Sequence, residues 1–364
     1  MSETILKEEE RVAFALRSLY RRYGYLPYKM NKFETYDLYA SNKDFLVGDG
    51  VITFNDTDGK LLALKPDVTL SIIKNTAENT GKQKVYYNEN VYRISGETKQ
   101  FKEIMQAGLE CIGEVDAYDV FETVSLAAGS LCAISENFVL DISHLGIVSA
   151  VLSSFGLSDK YNREIMRKIA EKNLHDTQAL CENYGVSAEN TDKLLSVIRS
   201  YGDMKTVLDK LAPLCTAGEA KTAYDELYTL YTLLKDSEYA DRIRIDFSVV
   251  NDMKYYNGIV FKGFVDGIPE GVLSGGQYDR LMKRMGRNAR AIGFAVYLDL
   301  LDGFGKKKSE TDVDVIVLYD EKTPVETVKT NVQLLVAMGK TVSAQKALGK
   351  RRYADVVDLR GGEQ

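Results

Sequence analysis

KVYYNENVYRI (84–94) and IMQAGLECIG (104–113), separated by the polar loop SGETKQFKE (95–103), decide the class of this chain. Both runs are rich in apolar, aromatic and β-branched residues, and they read as a strand and its returning partner. Downstream, DAYDVFETVSLAAGSLCAI (116–134) has the period of a long helix. FVLDISH (138–144) and RIRIDFSVV (242–250) alternate cleanly, as strands with one buried face do. Between those two, about residues 148–236 are almost wholly helical in period, as Leu227, Leu230, Tyr231 and Leu234 show, and form a helical insertion. An antiparallel sheet flanked and interrupted by helices, without regular βαβ alternation, points to an α+β domain.

Upstream, Val12, Ala15, Leu16, Leu19 and Tyr23 recur at helical spacing and Gly24 closes the pattern. FETYDLYA (33–40), DGVITFND (49–56) and KLLALKP (60–66) are short β-type runs divided by turn signals, and the Asp58-Gly59 step marks a hairpin. At the other end GFGKKKSETD (303–312) reads as a linker. After it DVDVIVLY, VETVKTNVQLLVAMG and KTVSAQ make a small β-α-β module, in which GKRRYAD (349–355) reads as a solvated helix start or, alternatively, an RNA-facing basic turn.

The chain of 364 residues carries 53 acidic and 47 basic side chains, a net charge of −6 that gives it no overall bias toward phosphate backbones or anionic membranes. Its N-terminus lacks the order of a secretory signal, and no stretch approaches the ~20 apolar residues of a membrane span, so a cytoplasmic address is expected. Cys111, Cys132, Cys181 and Cys215 form no CxxC pair, and His144 and His175 lie far apart. No metal site, disulfide framework or cofactor is expected.

Four clusters carry the chemistry. In LKPDVTL (64–70), Asp67 and Thr69 stand two apart and would share one face of a strand; the plainer reading makes them caps of the helix that follows. Gln106, Gly108 and Glu110 repeat at the same spacing, an amide and a carboxylate with a glycine making room between them. Glu110 sits between apolar neighbours and needs a partner or a ligand; an ion pair with Arg93 is the plainer alternative. In NDMKYYNGIVFKG (251–263), Tyr255 and Tyr256 would face opposite sides of a strand, and Asn257-Gly258 could be a simple hairpin turn. In LSGGQYDRL (273–281), Gly275 and its neighbour let backbone approach a ligand beside Tyr278, while Asp279 can cap the next helix. No phosphate-loop motif is present.

Taken in order, LKPDVT, VYR with QAGLE, YYNG, GGQYD and AIGFAVYLDLL resemble the catalytic domain of histidyl-tRNA synthetases and their paralogues, across roughly residues 10–305. The resemblance implies a class II aminoacyl-tRNA synthetase-like fold, an antiparallel sheet flanked by helices, dimeric, with a helical insertion before the YY motif. It implies a domain over 1–305 and a truncated anticodon-binding-like α/β module over 306–364. It also implies a histidine pocket: Asp67, Thr69 and Gln106 near the ligand's amino group, Glu110 and Tyr256 on its imidazole, with Arg93, Tyr255, Gly275 and Tyr278 around them.

The departures from the family pattern matter as much. Where synthetases have R-G-L-D before the tyrosine pair, this chain has Asn251, Asp252, Met253 and Lys254; where motif 3 ends in an ATP-binding arginine, it has Leu300. Ser95 stands for the glutamate of motif 2 and Asn31 for the proline of motif 1. Losing two arginines at a phosphoryl centre silences adenylation. A kept amino-acid pocket beside a lost nucleotide pocket resembles the non-catalytic paralogues that serve as regulatory subunits of ATP phosphoribosyltransferase. That resemblance implies no catalytic residues in this chain, the short-form catalytic subunit as partner, histidine as effector, and neither membrane nor nucleic acid. A divergent histidyl-tRNA synthetase, or a paralogue binding RNA or another protein, stays open.

Overall fold

The computed structural model describes residues 6–42, 50–76, 81–95, 98–250, 255–302, 304 and 311–361. The chain divides into two compact units, Met1–Phe304 and Gly305–Gln364. The first opens with α1 (Glu8–Arg22), β1 (Leu26–Pro27), β2 (Phe33–Thr35), α2 (Tyr36–Ala40), β3 (Thr53–Asn55), β4 (Leu61–Leu64) and α3 (Thr69–Asn75). The hairpin of β5 (Gln83–Ile94) and β6 (Phe101–Gly113) leads to α4 (Ala117–Cys132) and β7 (Phe138–His144). The helical run is α5 (Leu145–Ser153), α6 (Asp159–Ala170), α7 (Leu174–Asn183), α8 (Ala188–Ile198), then β8 (Tyr201–Asp203), α9 (Met204–Leu211) and α10 (Gly218–Leu234). β9 (Ile243–Asp246), β10 (Ile259–Val265), β11 (Leu273–Gln277), α11 (Asp279–Arg284) and β12 (Arg290–Tyr297) complete the unit.

Among the described residues nine of these strands form a sheet in the order β1-β5-β6-β12-β11-β10-β7-β9-β8, and the other three form a separate sheet in the order β2-β4-β3. From β5 across to β7 every pairing is antiparallel, but β1 joins β5 and β9 joins β7 in parallel, so the sheet is mixed rather than purely antiparallel. The insertion is not wholly helical either, since Tyr201–Asp203 extends the sheet edge against β9.

Register separates two faces. Tyr86, Leu109, Phe294, Gly275, Phe261, Ile142 and Ile245 lie opposite one another in one row across the sheet, and the side chains of that row are buried in the core that also takes in α1 and α4. Burying a side chain such as Leu109 contributes about 1.5–3 kcal/mol. The next row holds Val85, Glu110, Gly293, Gly276 and Val260 and faces the other way. A second apolar cluster, with Leu70 and Ile73 of α3, Leu281 and Met282 of α11, and Tyr87 of β5, packs on that side. α4 is fixed at its start by a reciprocal cap: Asp116 accepts the N–H groups of Tyr118 and Asp119 at 2.9 and 3.1 Å, and Asp119 accepts that of Asp116 at 2.9 Å.

Several local expectations need correction. FETYDLYA is a strand only through Thr35, after which Tyr36 and Tyr39 at helical spacing turn inward and Tyr39 is fully buried. RIRIDFSVV stops pairing at Asp246, whose carboxylate accepts the Ser248 N–H at 2.8 Å and turns the chain. The linker falls largely outside the described residues. In the second unit, β13 (Val313–Leu318), α12 (Val325–Ala337), β14 (Val342–Gln345) and β15 (Tyr353–Asp358) form a parallel sheet in the order β14-β13-β15. The segment expected to start a helix at GKRRYAD therefore enters a strand, drawn in by pairing with β13 and by Arg352 on Asp312 at 2.9 Å.

Candidate functional site

The non-core face of β5, β6 and β12 holds a polar recess whose floor is Glu110, 2 % exposed. Thr69, the first residue of α3, donates its hydroxyl to Glu110 Oε1 at 2.8 Å, and Tyr278, at the mouth of α11, donates to Oε2 at 2.6 Å. The carboxylate can lie there because Gly293 is its cross-strand neighbour: a Cβ at 293 would stand 2.5 Å from Glu110 Cδ. Gly108 serves in the same way, since the Tyr87 ring occupies the space where its side chain would be, 2.5 Å from the hydroxyl. Gln106, buried, sits one step along β6 opposite Tyr297.

Two hydroxyl donors and no cation do not repay the removal of a carboxylate from water. Burial pushes the Glu110 carboxyl up to about 8, with the two hydroxyls acting against it and nearby Asp67 reinforcing it. Asp67 is raised too, first by burial, while the Leu70 N–H at 2.9 Å and the Arg93 guanidinium hold it back. Burial also lifts the hydroxyls of Tyr87, Tyr255, Tyr256 and Tyr278 well above the ordinary phenol range, so all four stay neutral donors. The recess is a protonated or anion-bearing floor under neutral hydroxyls, suited to a ligand N–H or a small cation.

The expected site residues assemble with some changes of role. Asp67 and Thr69 do not share a strand; Asp67 caps α3 and Thr69 is helical, the plainer of the two readings for Asp67. The Glu110–Arg93 ion pair does not form: register sets Arg93 opposite Lys102, and its Nε donates to the Pro66 carbonyl at 2.9 Å. Tyr255 and Tyr256 are not on opposite faces of a strand, because 255–257 lie before β10 and the two rings tilt together at 4.6 Å, Tyr255 reaching Tyr278 at 5.7 Å. The tyrosine that donates to Glu110 is Tyr278. Gly275 belongs to the core row, where a Cβ would meet the Phe261 ring at 2.7 Å, whereas Gly276 faces the recess beneath Tyr256. Asn257-Gly258 is no hairpin turn, since Asn257 N–H pairs with Gln277 and Gly258 accepts from Leu145. Asp279 does not cap α11, whose Arg280 N–H is accepted by Asn257 Oδ1 at 3.2 Å, and instead accepts the Ala291 N–H at 2.9 Å. Asn251, Asp252, Met253 and Lys254 lie outside the described residues.

Tyr87, Tyr297 and Gly293 escaped the sequence reading. Period-two alternation alone cannot say which strand lies beside which, and their roles emerge only from the β5-β6-β12-β11 register. Among the described residues there is no cluster of three or more metal-ligating side chains, and no helix is long and apolar enough to cross a membrane.

The histidyl-tRNA synthetase family model matches residues 2–301. The chain belongs to the histidyl-tRNA synthetase family. Within that family it is 29% identical over 290 residues to an ATP phosphoribosyltransferase regulatory subunit of Oceanobacillus iheyensis, covering 79% of this chain and 71% of that protein. A protein of the same description from Acetivibrio thermocellus is 26% identical over 363 residues, covering 96% of this chain and 82% of the relative. The fold is shared with a solved ATP phosphoribosyltransferase regulatory subunit/histidyl-tRNA synthetase from Bacillus halodurans, at TM-score 0.78 and 23% identity over 97% of this chain and 94% of that one. The mixed sheet flanked by helices is thus the class II synthetase-like fold of the family.

Proposed function

We propose that this chain is the regulatory subunit of ATP phosphoribosyltransferase, activating the short catalytic subunit and conveying feedback inhibition by histidine in the first step of histidine biosynthesis. The relatives of that description, matched over most of this chain, support the assignment. The observation that carries the sensing role is the buried Glu110, held by two hydroxyls and no cation. An imidazole N–H meets it as a third donor, while Asp67 and Gln106 lie on the side for the ammonium. The ligand carboxylate pairs with Arg93, whose Nε is held by Pro66, leaving its terminal nitrogens without hydrogen-bond partners among the described residues.

The chain does not catalyse adenylation in this reading. Leu300, at the position of the motif 3 arginine by resemblance, is apolar and packs against the core of the sheet. The subunit acts by allostery: histidine favours one arrangement of the complex through its differential affinity, and the coupling is reciprocal. The assembly is cytoplasmic, and the subunit itself pairs as a dimer.

The test mixes the full chain with a short-form ATP phosphoribosyltransferase and follows phosphoribosyl transfer. A rate that rises with added chain and falls again with histidine supports the reading. No change in rate, together with histidine-dependent ATP–pyrophosphate exchange by the chain alone, overturns it in favour of a working synthetase.

A further inference from the structure

On the core side of the sheet, away from Glu110, a cleft of about 320 Å³ opens between the start of α4, the flank of α10 and the ends of β10 and β11. It runs into a wider hollow of about 950 Å³ that reaches His144, and the two share Thr222, Glu226, Gln277 and Arg290. The smaller volume lies at the lower end of the range for pockets that enclose a small metabolite.

Its polar groups are set and unspent. Gln277 is 2 % exposed, and its Oε1 accepts the Ile259 N–H at 2.7 Å, which fixes the amide orientation. The amide nitrogen then has no hydrogen-bond partner among the described residues, and Gln277 lines the cleft. Arg290 spends Nε on Asp279 and Nη1 on the Val115 carbonyl, leaving Nη2 similarly uncommitted. Facing these donors is Glu226. His144 accepts the Gly146 N–H on Nδ1 at 3.1 Å, so its Nε2 carries the proton and donates to Glu226 Oε2 at 2.9 Å. A neutral imidazole orients that carboxylate without neutralising it. The His144 hydrogen bond holds the Glu226 carboxyl below its usual range, with Arg290 contributing in the same direction.

We infer that this cleft is a second small-molecule site, built for the zwitterionic end of a free α-amino acid: carboxylate on Gln277 Nε2 and Arg290 Nη2, ammonium on Glu226, with Thr222 at the rim. Two donors across from one oriented anion match neither a simple anion nor a simple amine. This inference does not depend on the reading of the Glu110 recess.

The experiment uses the full chain carrying Glu110→Gln, so that the recess is weakened, and measures binding of each standard L-amino acid by ligand-observed NMR. At least one is expected to bind, to lose at least about tenfold in affinity when Glu226→Gln is added, and to fail as its N-acetyl or methyl ester derivative. Thr222→Phe, an exposed helical position that fills the cleft, gives the same loss without touching the charge pair. Absence of binding by every amino acid, binding indifferent to Glu226→Gln and Thr222→Phe, or equal binding of the blocked derivatives overturns the inference.

Discussion

Replacing Gly293 by alanine tests the recess more severely than removing Glu110 itself. A Cβ at that position would stand 2.5 Å from Glu110 Cδ and 2.5 Å from the Leu109 carbonyl, where carbon contacts normally begin at about 3.5 Å. The carboxylate must therefore retreat by about 1 Å or more. Its bonds from Tyr278 at 2.6 Å and Thr69 at 2.8 Å then stretch to or past the limit of useful geometry. Losing both from a buried carboxyl costs about 1–3 kcal/mol, and forcing β6 and β12 apart adds about 1–3 kcal/mol of overpacking strain. Unfolding by urea should show a loss of about 2–6 kcal/mol, a large share of a typical domain's stability. Calorimetry with histidine should show affinity reduced by about a hundredfold, the equivalent of about 2.7 kcal/mol. Gly59→Ala is the control: it sits at φ +81 with nothing within 4 Å of a Cβ, and should cost about 1 kcal/mol with no effect on the ligand. A Gly293→Ala protein that binds histidine with wild-type affinity would refute the placement of Glu110 as the floor of the site.

Three further outcomes are expected. Because the Glu110 carboxyl is raised to about 8, the ligand-free protein keeps that group's contribution to stability at acid pH and loses it as pH climbs toward and through 8; Glu110→Gln should flatten this part of the stability curve. Histidine affinity should be bell-shaped in pH: one proton is shared in the complex, so binding releases a proton below the free imidazole value of about 6.5 and takes one up above about 8, and it weakens on both sides. A monotonic profile in calorimetry would contradict that proton count. Asp116→Ala removes the cap that accepts the Tyr118 and Asp119 N–H groups and should cost about 1 kcal/mol in chemical denaturation without altering histidine binding.

The sheet was legible where alternation and composition agree over many residues, as in 84–94 and 104–113, and the helix after Asp116 was legible from its period. The parallel pairings of β1 and β9 were not, because strand direction and neighbour order are tertiary properties that no local pattern records. Within the recess, spacing placed Gln106, Gly108 and Glu110 on one face correctly. It failed around 64–70 and 255–258, where Asp67 caps α3 and the tyrosine pair precedes β10, so neither segment has the strand period assumed for it. It also chose Gly275 over Gly276, an error of one residue that moves a position to the other face of a sheet.

The most direct test of the account is the histidine inhibition curve of the catalytic complex assembled with Glu110→Gln in place of the wild-type chain. The account predicts that activation of the short-form phosphoribosyltransferase survives while half-inhibition requires at least about tenfold more histidine, since an amide cannot take the imidazole N–H as a carboxylate does. An inhibition curve superimposable on that of the wild-type complex would contradict it, and would place the effector elsewhere.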